Sequence, residues 1–441
     1  MRAGVVFPAL PLLRLTRFTR FTRFTRLTRL VWFGIGVATL VVPSLALSQA
    51  AAQFKPFGEC RTGFWHSSRN LDDAGALNSS TCLLNLKLQP VENLRFAANA
   101  RLSQAVGAEG SMYRGRFREA YAQADFGDVS VKLGRQIIVW GRSDRISPTD
   151  VMSSRDFTAL VADDDEQRNG NDLATLRWQV LDDVAATAYI GRFEGHRIPT
   201  GSLPVNLVTS AAQQRPEYAL RIERVGEGAD FSMSYFDGFN KTARYDFVQG
   251  GVSGNFRSHN ERMRMVGADF ATAAGRWTFR GEAALFHLNP SCVDCQAGAL
   301  PTRKLQRVVV GVDRDFLDTA NINVQLFIFK RSAYKNPDAL MGAQRLVAEG
   351  LDRLNGEFAG LERGVTLRVS ERFLNDLLKV EASGIFDLTN ASRLLRARLS
   401  YAISDQIKLN AGVDSFHGRQ QSFFGSRRKN STAFVELVWV F

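Results

Sequence analysis

Basic side chains recur at alternate positions along several stretches of this sequence, each time opposite an apolar set. Between residues 368 and 408 they are Arg368, Arg372, Lys379, Arg396, Arg398 and Lys408. Earlier in the chain Arg95, Arg101, Arg221, Arg280 and Arg307 stand in the same relation to their neighbours. The acids of those faces are Glu223, Glu282, Asp313, Glu381, Asp414 and Glu436, six against eleven cations. A basic wall inside a low-dielectric tube concentrates anions and speeds their entry. The competing reading is that the charges pair across strands and only hydrate the interior.

A second concentration of charge lies in "GRSDRISPTDVMSSRDFTALVADDDEQRNGND", residues 141–172. It mixes Arg142, Arg145, Arg155 and Arg168 with Asp144, Asp150, Asp156, Asp163, Asp164, Asp165 and Glu166. A connection this long without regular structure is usually functional or disordered. Folded inward, it would narrow a pore and be locked to the wall by its opposite charges. Left outside, it is a solvated loop. The run Asp163 to Glu166 also has the chemistry for Ca²⁺, but EF-hand spacing is absent.

Groups for catalysis are sparse. His66, His196, His259, His287 and His417 fall in loops or at the ends of alternating segments, and no HExxH spacing occurs. No GxSxG, phosphate-binding loop or dinucleotide fingerprint opens a helix. Some outer-membrane barrels carry a Ser/His site on the outer wall; here surface histidines are the expected reading, with no enzyme, metal or cofactor. Four cysteines remain once a leader is set aside: Cys60, Cys82, Cys292 and Cys295. "SCVDC" reads as a local loop disulfide. A redox CxxC would open the helix of a βαβ unit, and a zinc site would need two more ligands. Cys60 with Cys82 is the natural second pair in an oxidising compartment.

What must hold these residues is set by alternation. "NINVQLFIFK" places Ile322, Val324, Leu326 and Ile328 on one face and Asn321, Asn323 and Gln325 on the other. "QIKLNAGVD", "LRFAANARL", "YALRIE" and "RWTFRGEAAL" repeat the pattern. Period two is the signature of half-buried strands. The joins alternate between short turns, such as "FGD", "LDD" and "AAG", and longer polar stretches near 68–80, 105–114, 141–172, 194–215, 240–262, 288–303, 333–362 and 417–430. "LTNA" is short where a long join is due. Short turns at one end and long loops at the other are the layout of an outer-membrane barrel. In lipid every backbone N–H and C=O must be paired, so strands persist only in a closed sheet. About eighteen strands are expected, with sixteen as the alternative count, the first near 61–67 and the last at 431–441. A soluble sandwich or β-helix would share the alternation but not the leader, the turn asymmetry and the terminal strand together.

The first 50 residues read as a secretory leader. They hold seven of the 56 basic residues and no acid, which leaves 49 basic against 44 acidic side chains. The +12 charge therefore belongs mostly to the leader, which argues against a nucleic-acid partner. The tract "RLTRFTRFTRFTRLTRL" has a period of three, which makes no amphipathic face on a helix. Residues 51–441 are expected to form a single barrel.

The chain ends on "AFVELVWVF", with Val435, Leu437, Trp439 and Phe441 at alternate positions and Glu436 between them. This is the expected lipid face of a closing strand, its aromatics at the interfacial girdle. An aromatic end of this form resembles the signal by which the barrel-assembly machinery recognises its clients.

"LGRQIIVWGRSDRISPTD" resembles a family of proteobacterial outer-membrane barrels of largely unassigned function, near the alginate-export porins. The resemblance rests on Gly134, Arg135, Gln136, Trp140, Gly141, Pro148 and Asp150. It implies an all-β, transmembrane, antiparallel barrel acting as a passive conduit for an organic or anionic solute, and a link to an inner-membrane transporter. Nothing here resembles the periplasmic scaffold that polysaccharide exporters recruit. The expected activity is passage of small polar or anionic solutes. The alternatives are an export barrel for an acidic polysaccharide or lipid-like compound, and a non-conducting structural or adhesive barrel. Arg135 sits awkwardly: Val129, Val131, Leu133, Ile137 and Val139 share its face, and an arginine in lipid costs about 2–4 kcal/mol. A bulge at Gly134 would turn it inward.

Overall fold

The computed structural model describes residues 55–67, 76–107, 110–198, 207–209, 215–248, 255–289, 303–316, 319–332 and 334–441. The leader, Cys292 and Cys295 lie outside the described residues. Eighteen strands form one closed antiparallel sheet. In chain order the wall is β1 (Lys55–Ser67), β2 (Ala76–Val91), β3 (Leu94–Gly107), β4 (Gly110–Phe126), β5 (Val129–Gln136), β8 (Asn171–Leu181), β9 (Val184–Gly191), β11 (Glu217–Arg224), β12 (Ala229–Phe239), β15 (Arg262–Ala274), β16 (Trp277–Asn289), β17 (Arg303–Phe316), β18 (Ala320–Arg331), β19 (Leu361–Phe373), β20 (Leu378–Asp387), β21 (Ser392–Ala402), β22 (Ile407–His417) and β23 (Thr432–Val440). The remaining strands belong to connections: β6 (Ser154–Arg155) pairs with β7 (Arg168–Asn169), and β10 (Leu207–Thr209), β13 (Arg244–Val248) and β14 (Asn255–His259) make a small sheet. Between β18 and β19 lies an α-helix, α1 (Gly342–Asn355).

Each wall strand pairs with its neighbours in sequence order, and β23 pairs with β1 from Glu59↔Val440 to Ser67↔Thr432. Closure removes the sheet edge. Gly58 and Phe441 exchange both backbone hydrogen bonds, so the last residue is tied into the seam. The disulfide Cys60–Cys82 joins β1 to β2 at directly opposed positions.

Side chains invert the rule for water-soluble proteins. Val435, Leu437, Trp439 and Phe441 are exposed on the outside while Glu436 is 3% exposed within. Leu326 and Ile328 face out while Asn323 and Gln325 are buried. An exposed belt of this kind is suited to lipid. At the short-turn end it finishes in aromatics: Phe126, Trp277, Phe316, Phe373, Tyr401 and Trp439, as interfacial girdles do.

Several expectations need correction. The stretch 105–114 is no long loop, because β3 and β4 run on to the pair Gly107↔Gly110. Strand β5 stops at Gln136, so Ile137 and Val139 are loop residues, not part of a strand face. The register across Gly134 is unbroken on both sides. Arg135 therefore stays on the face of Leu133, against the idea of a bulge that turns it inward. It is tolerated because the strand ends there: Asp172 and Glu194 pair with it at 3.3 and 2.6 Å. Finally, the lumen is not polar throughout. Phe236, Met263, Met265, Phe286, Leu288 and Leu305 point inward from β12, β15, β16 and β17 and are buried. The apolar-outward rule fails there because something apolar covers them from inside.

Candidate functional site in the barrel lumen

What covers them is the connection from β5 to β8. Trp140 and Met152 of that loop join the inward apolar cluster, with Ile138 and Val151 packed beside them. The loop leaves the wall through a sharp corner at Gly141, whose φ of +88° only glycine adopts without strain. A Cβ there would also run into Ser147 Oγ and the Glu282 carboxylate.

Glu282, on β16, is the anchor of this corner. Its Oε1 accepts from the backbone N–H of Arg142 at 2.7 Å and of Ser143 at 2.5 Å. Its Oε2 accepts from Ser147 Oγ at 2.8 Å, Thr149 Oγ1 at 3.0 Å and Thr149 N at 3.3 Å. A carboxylate that collects five donors is strongly held, since charge-assisted bonds are about twice as strong as neutral ones. Arg142 reaches on to Asp269, which also holds Arg221 at 3.2 Å.

The loop then crosses the lumen. Arg368 on β19 meets Asp144 at 2.6 Å. Arg145 pairs with Glu381 on β20 and lies 3.8 Å from Asp164 in the returning limb. Asp164 pairs with Arg396 on β21, and Ala162 O accepts from Arg398 at 3.2 Å. Burial works to raise the Asp164 carboxyl, yet Arg396, Arg145 and Arg398 together hold it below the ordinary range. Glu166 reaches the far wall, 2.8 Å from Arg61 on β1, and its carbonyl accepts from Arg101 on β3 at 2.5 Å. Asp150 ties the base of the loop through Arg168 and Arg155 at 2.5 and 3.5 Å.

The row 368–408 is therefore not a bare basic ladder. Glu381 stands directly opposite Arg398, and Asp414 directly opposite Arg396. Asp414 lies 2.6 Å from Arg398 and 3.4 Å from Arg396. Arg372 and Lys379 sit nearer the turns, with Asp376 and Glu381 as partners, and Arg95 with Asp125 does likewise. Lys408 lies exposed near the same mouth. Arg280 pairs with Asp313 at 2.8 Å, and Arg307 lies over Phe286 and Phe329.

A further group of cations gathers elsewhere. A cavity of about 60 Å³ opens between the loop and β2 to β4, lined by Arg101, Arg114, Arg116 and Arg118, with Arg197 and the hydroxyls of Thr81 and Ser103. Arg116 has Glu194 and Arg197 has Asp156. Arg114 bonds only a hydroxyl, Thr158 Oγ1 at 2.6 Å, and Arg118 only the carbonyls of Arg168 and Asp165. Neither makes an ion pair among the described residues. Leu160 and Val161 give the cavity an apolar side. Sequence reading missed Arg114, Arg116 and Arg118, although "RGRFREA" carries the same period-two signal as the other strands.

The histidines do not assemble a site. His196 sits in the loop after β9, and its Nδ1 accepts from Arg155 N at 2.9 Å. Burial, with Arg155 and Lys241 nearby, pushes it down to about 3, so it stays neutral. Ser415 and His417 share a 2.8 Å hydrogen bond near the loop end of β22. A nucleophile needs a third group to orient its base, and neither residue pairs with a carboxylate in the described part of the chain. Among the described residues no cluster of His, Cys, Asp or Glu has metal-binding geometry.

Comparison with known proteins agrees with this architecture. Residues 92–202, from before β3 to beyond β9, match a family described as a protein of unknown function (DUF1302). No curated protein matches the chain. Among solved structures the barrel is similar to Acinetobacter baumannii OccAB1, at 8% identity over 89% of this chain and 98% of that one, TM-score 0.55. It is similar to the outer membrane protein opdK from Pseudomonas aeruginosa, at 11% identity over 88% of this chain and 99% of that one, TM-score 0.53. Pseudomonas aeruginosa OpdL is a third, at 12% identity over 88% and 98%, TM-score 0.51. At such identities the likeness speaks for the fold, an eighteen-stranded barrel of the outer-membrane type.

Proposed function

We propose that the chain is an outer-membrane channel through which small polar solutes, anions favoured, diffuse passively. The observation that carries this reading is the loop at 137–170, which narrows the lumen while remaining pinned to opposite walls. A wall alone would suit a structural or adhesive barrel. A fixed constriction with charged walls suits selection by size and charge. The solved barrels it is similar to are consistent with a conduit. An acidic polymer would need the loop to leave the lumen, which its ion pairs oppose, so the export reading rests on sequence resemblance alone.

Anion preference is supported by the cavity arginines rather than by the 368–408 row, whose charges meet carboxylates. Arg114 and Arg118, held by a hydroxyl and by carbonyls and not, among the described residues, by ion pairs, present positive charge beside the hydroxyls of Thr81 and Ser103, with Asp156 as the acid of the lining, a setting that receives a carboxylate or another oxyanion. The apolar side formed by Leu160 and Val161 favours an organic anion over a bare inorganic one. Passage to an inner-membrane transporter remains part of this proposal, as does delivery of the chain by the barrel-assembly machinery.

Single-channel recording on purified, reconstituted protein tests the reading. Conductance with a reversal potential on the anion side in a salt gradient is expected. R114Q/R118Q should move that potential toward zero or past it. A wild-type barrel that is folded but silent sinks the channel reading. Cation selectivity sinks the assignment of the anion site.

A further inference from the structure

The outer wall carries charge that the channel does not use. Lys304 on β17, Lys330 on β18, Arg363 on β19 and Arg393 on β21 are exposed on the lipid face, close to the loop end of their strands. Their direction follows from alternation: Ile328 is two positions from Lys330 and 49% exposed, and Leu395 is two positions from Arg393 and 36% exposed. Register agrees, because Ile328 pairs with Arg363 and Lys304 with His287, whose neighbour Leu285 two positions away is also exposed. None of the four cations makes an ion pair among the described residues. Arg264 on β15 extends the row and is shared with Asp237. At the corresponding level elsewhere on the wall the outward residues are neutral: His66, Gln104, Tyr113, Ile190 and Tyr218. Charge there includes Arg135, paired with Asp172 and Glu194, and the exposed Arg192, whose backbone N–H bonds Asp172 O.

We infer that this sector, β15 to β21, is a docking surface for the phosphorylated headgroups of the lipid leaflet at the loop end, and specifically for a glycolipid that carries two phosphates. The belt lies just beyond apolar residues suited to acyl chains, which is the depth of headgroup phosphates. Cations held there without protein partners are desolvated at little gain unless anions meet them. The width decides between lipids. Strands lie about 4.8 Å apart, so the four spacings from β17 to β21 spread the cations over about 19 Å. That exceeds a single phospholipid headgroup and matches a broad headgroup with phosphates at both ends. The inference rests on the loop end facing outward, not on conduction.

The test offers the mature chain in non-ionic detergent bisphosphorylated lipid A, dephosphorylated lipid A or phosphatidylglycerol, and counts retained lipid by native mass spectrometry. Retention of the bisphosphorylated lipid alone is expected. Each cation removed should weaken retention about fivefold, so K304Q/K330Q/R363Q/R393Q should abolish it. R345Q/R353Q, on α1, should leave it intact. Unchanged retention by the quadruple variant, or equal retention of dephosphorylated lipid A, overturns the inference. Equal retention of phosphatidylglycerol overturns the choice of glycolipid. Heat-modifiable migration on gels reports folding, and K330Q/R363Q serves if the quadruple variant fails that check. Because the readout is bound lipid, a silent channel does not affect it.

Discussion

Glu282 concentrates more structural consequence than any arginine of the lumen. It is 3% exposed and holds the loop through two oxygens and five donors. Glu282→Ala leaves three backbone N–H groups and two hydroxyls without their acceptor, at a cost of about 3–5 kcal/mol by analogy with breaking a buried charged pair. The loop should then detach locally while the barrel persists. Faster tryptic cleavage at Arg142 and Arg145, with larger conductance, is the expected pair of outcomes; protection equal to wild type would show that the ion pairs suffice. The sequence exposed Glu282 as an inward acid through alternation. Its role was not legible, because its partners lie more than 130 positions away and are partly backbone. The same limit applied to Arg396 and Arg398: their facing was readable, whereas the carboxylates that neutralise them come from another strand and from the loop.

Secondary structure was legible wherever period two was clean, and β18, β22 and β23 follow their quoted alternation. It failed where a strand faces apolar matter on both sides. "RMRMVGADF" in β15 buries Met263 and Met265 inward while Val266 and Phe270 face out, so no single polar face exists to be read. It failed also for α1, whose Val347, Leu351 and Leu354 have helical spacing inside the polar join at 333–362. The helix is docked by Asn355, whose side chain bonds both backbone groups of Tyr245, and by Glu357 on Arg303 at 2.5 Å. Tyr334 donates to Asp352 at 2.9 Å. Burial, with Glu357 close by, pushes the Asp352 carboxyl up to about 6 despite that bond. A raised carboxyl favours the docked state when protonated. Its contribution is full below the ordinary carboxylate range and is lost as pH rises through about 6. Amides of 342–357 should exchange more slowly at pH 5 than at pH 7.5, after correction for intrinsic rates. Asp352→Asn should flatten that difference, and an unaltered profile would assign it to another group.

The barrel as an object was the most legible level. A strand count near eighteen, an even number and short turns gathered mostly at one end all follow from period two and the requirement that no backbone group be unpaired in lipid. The seam was readable as well, in part, since Trp439 and Phe441 continue the outward row of β23. Deleting Phe441 removes both hydrogen bonds to Gly58 and the terminal aromatic. Less folded barrel should reach the membrane, read as the heat-modifiable fraction in outer-membrane extracts; a normal fraction would detach that residue from assembly. The lumen was the least legible part, because which strand meets which segment of a crossing loop depends on distances the chain order does not contain.

The Cys60–Cys82 bridge has a temporal meaning. It spans 22 positions and joins directly opposed residues of the first two strands. A bond of that span limits the unfolded chain by about 3 kcal/mol in the loop-entropy view. More to the point, thiols that meet an oxidising compartment can pair before a barrel closes. The first hairpin can thus arrive with its pairing already decided, and a one-residue slip that would exchange every lumen side chain for a lipid one is forbidden there by a covalent bond. Since β1 is also the strand that receives β23, the chain would carry its own ruler for the last step of closure.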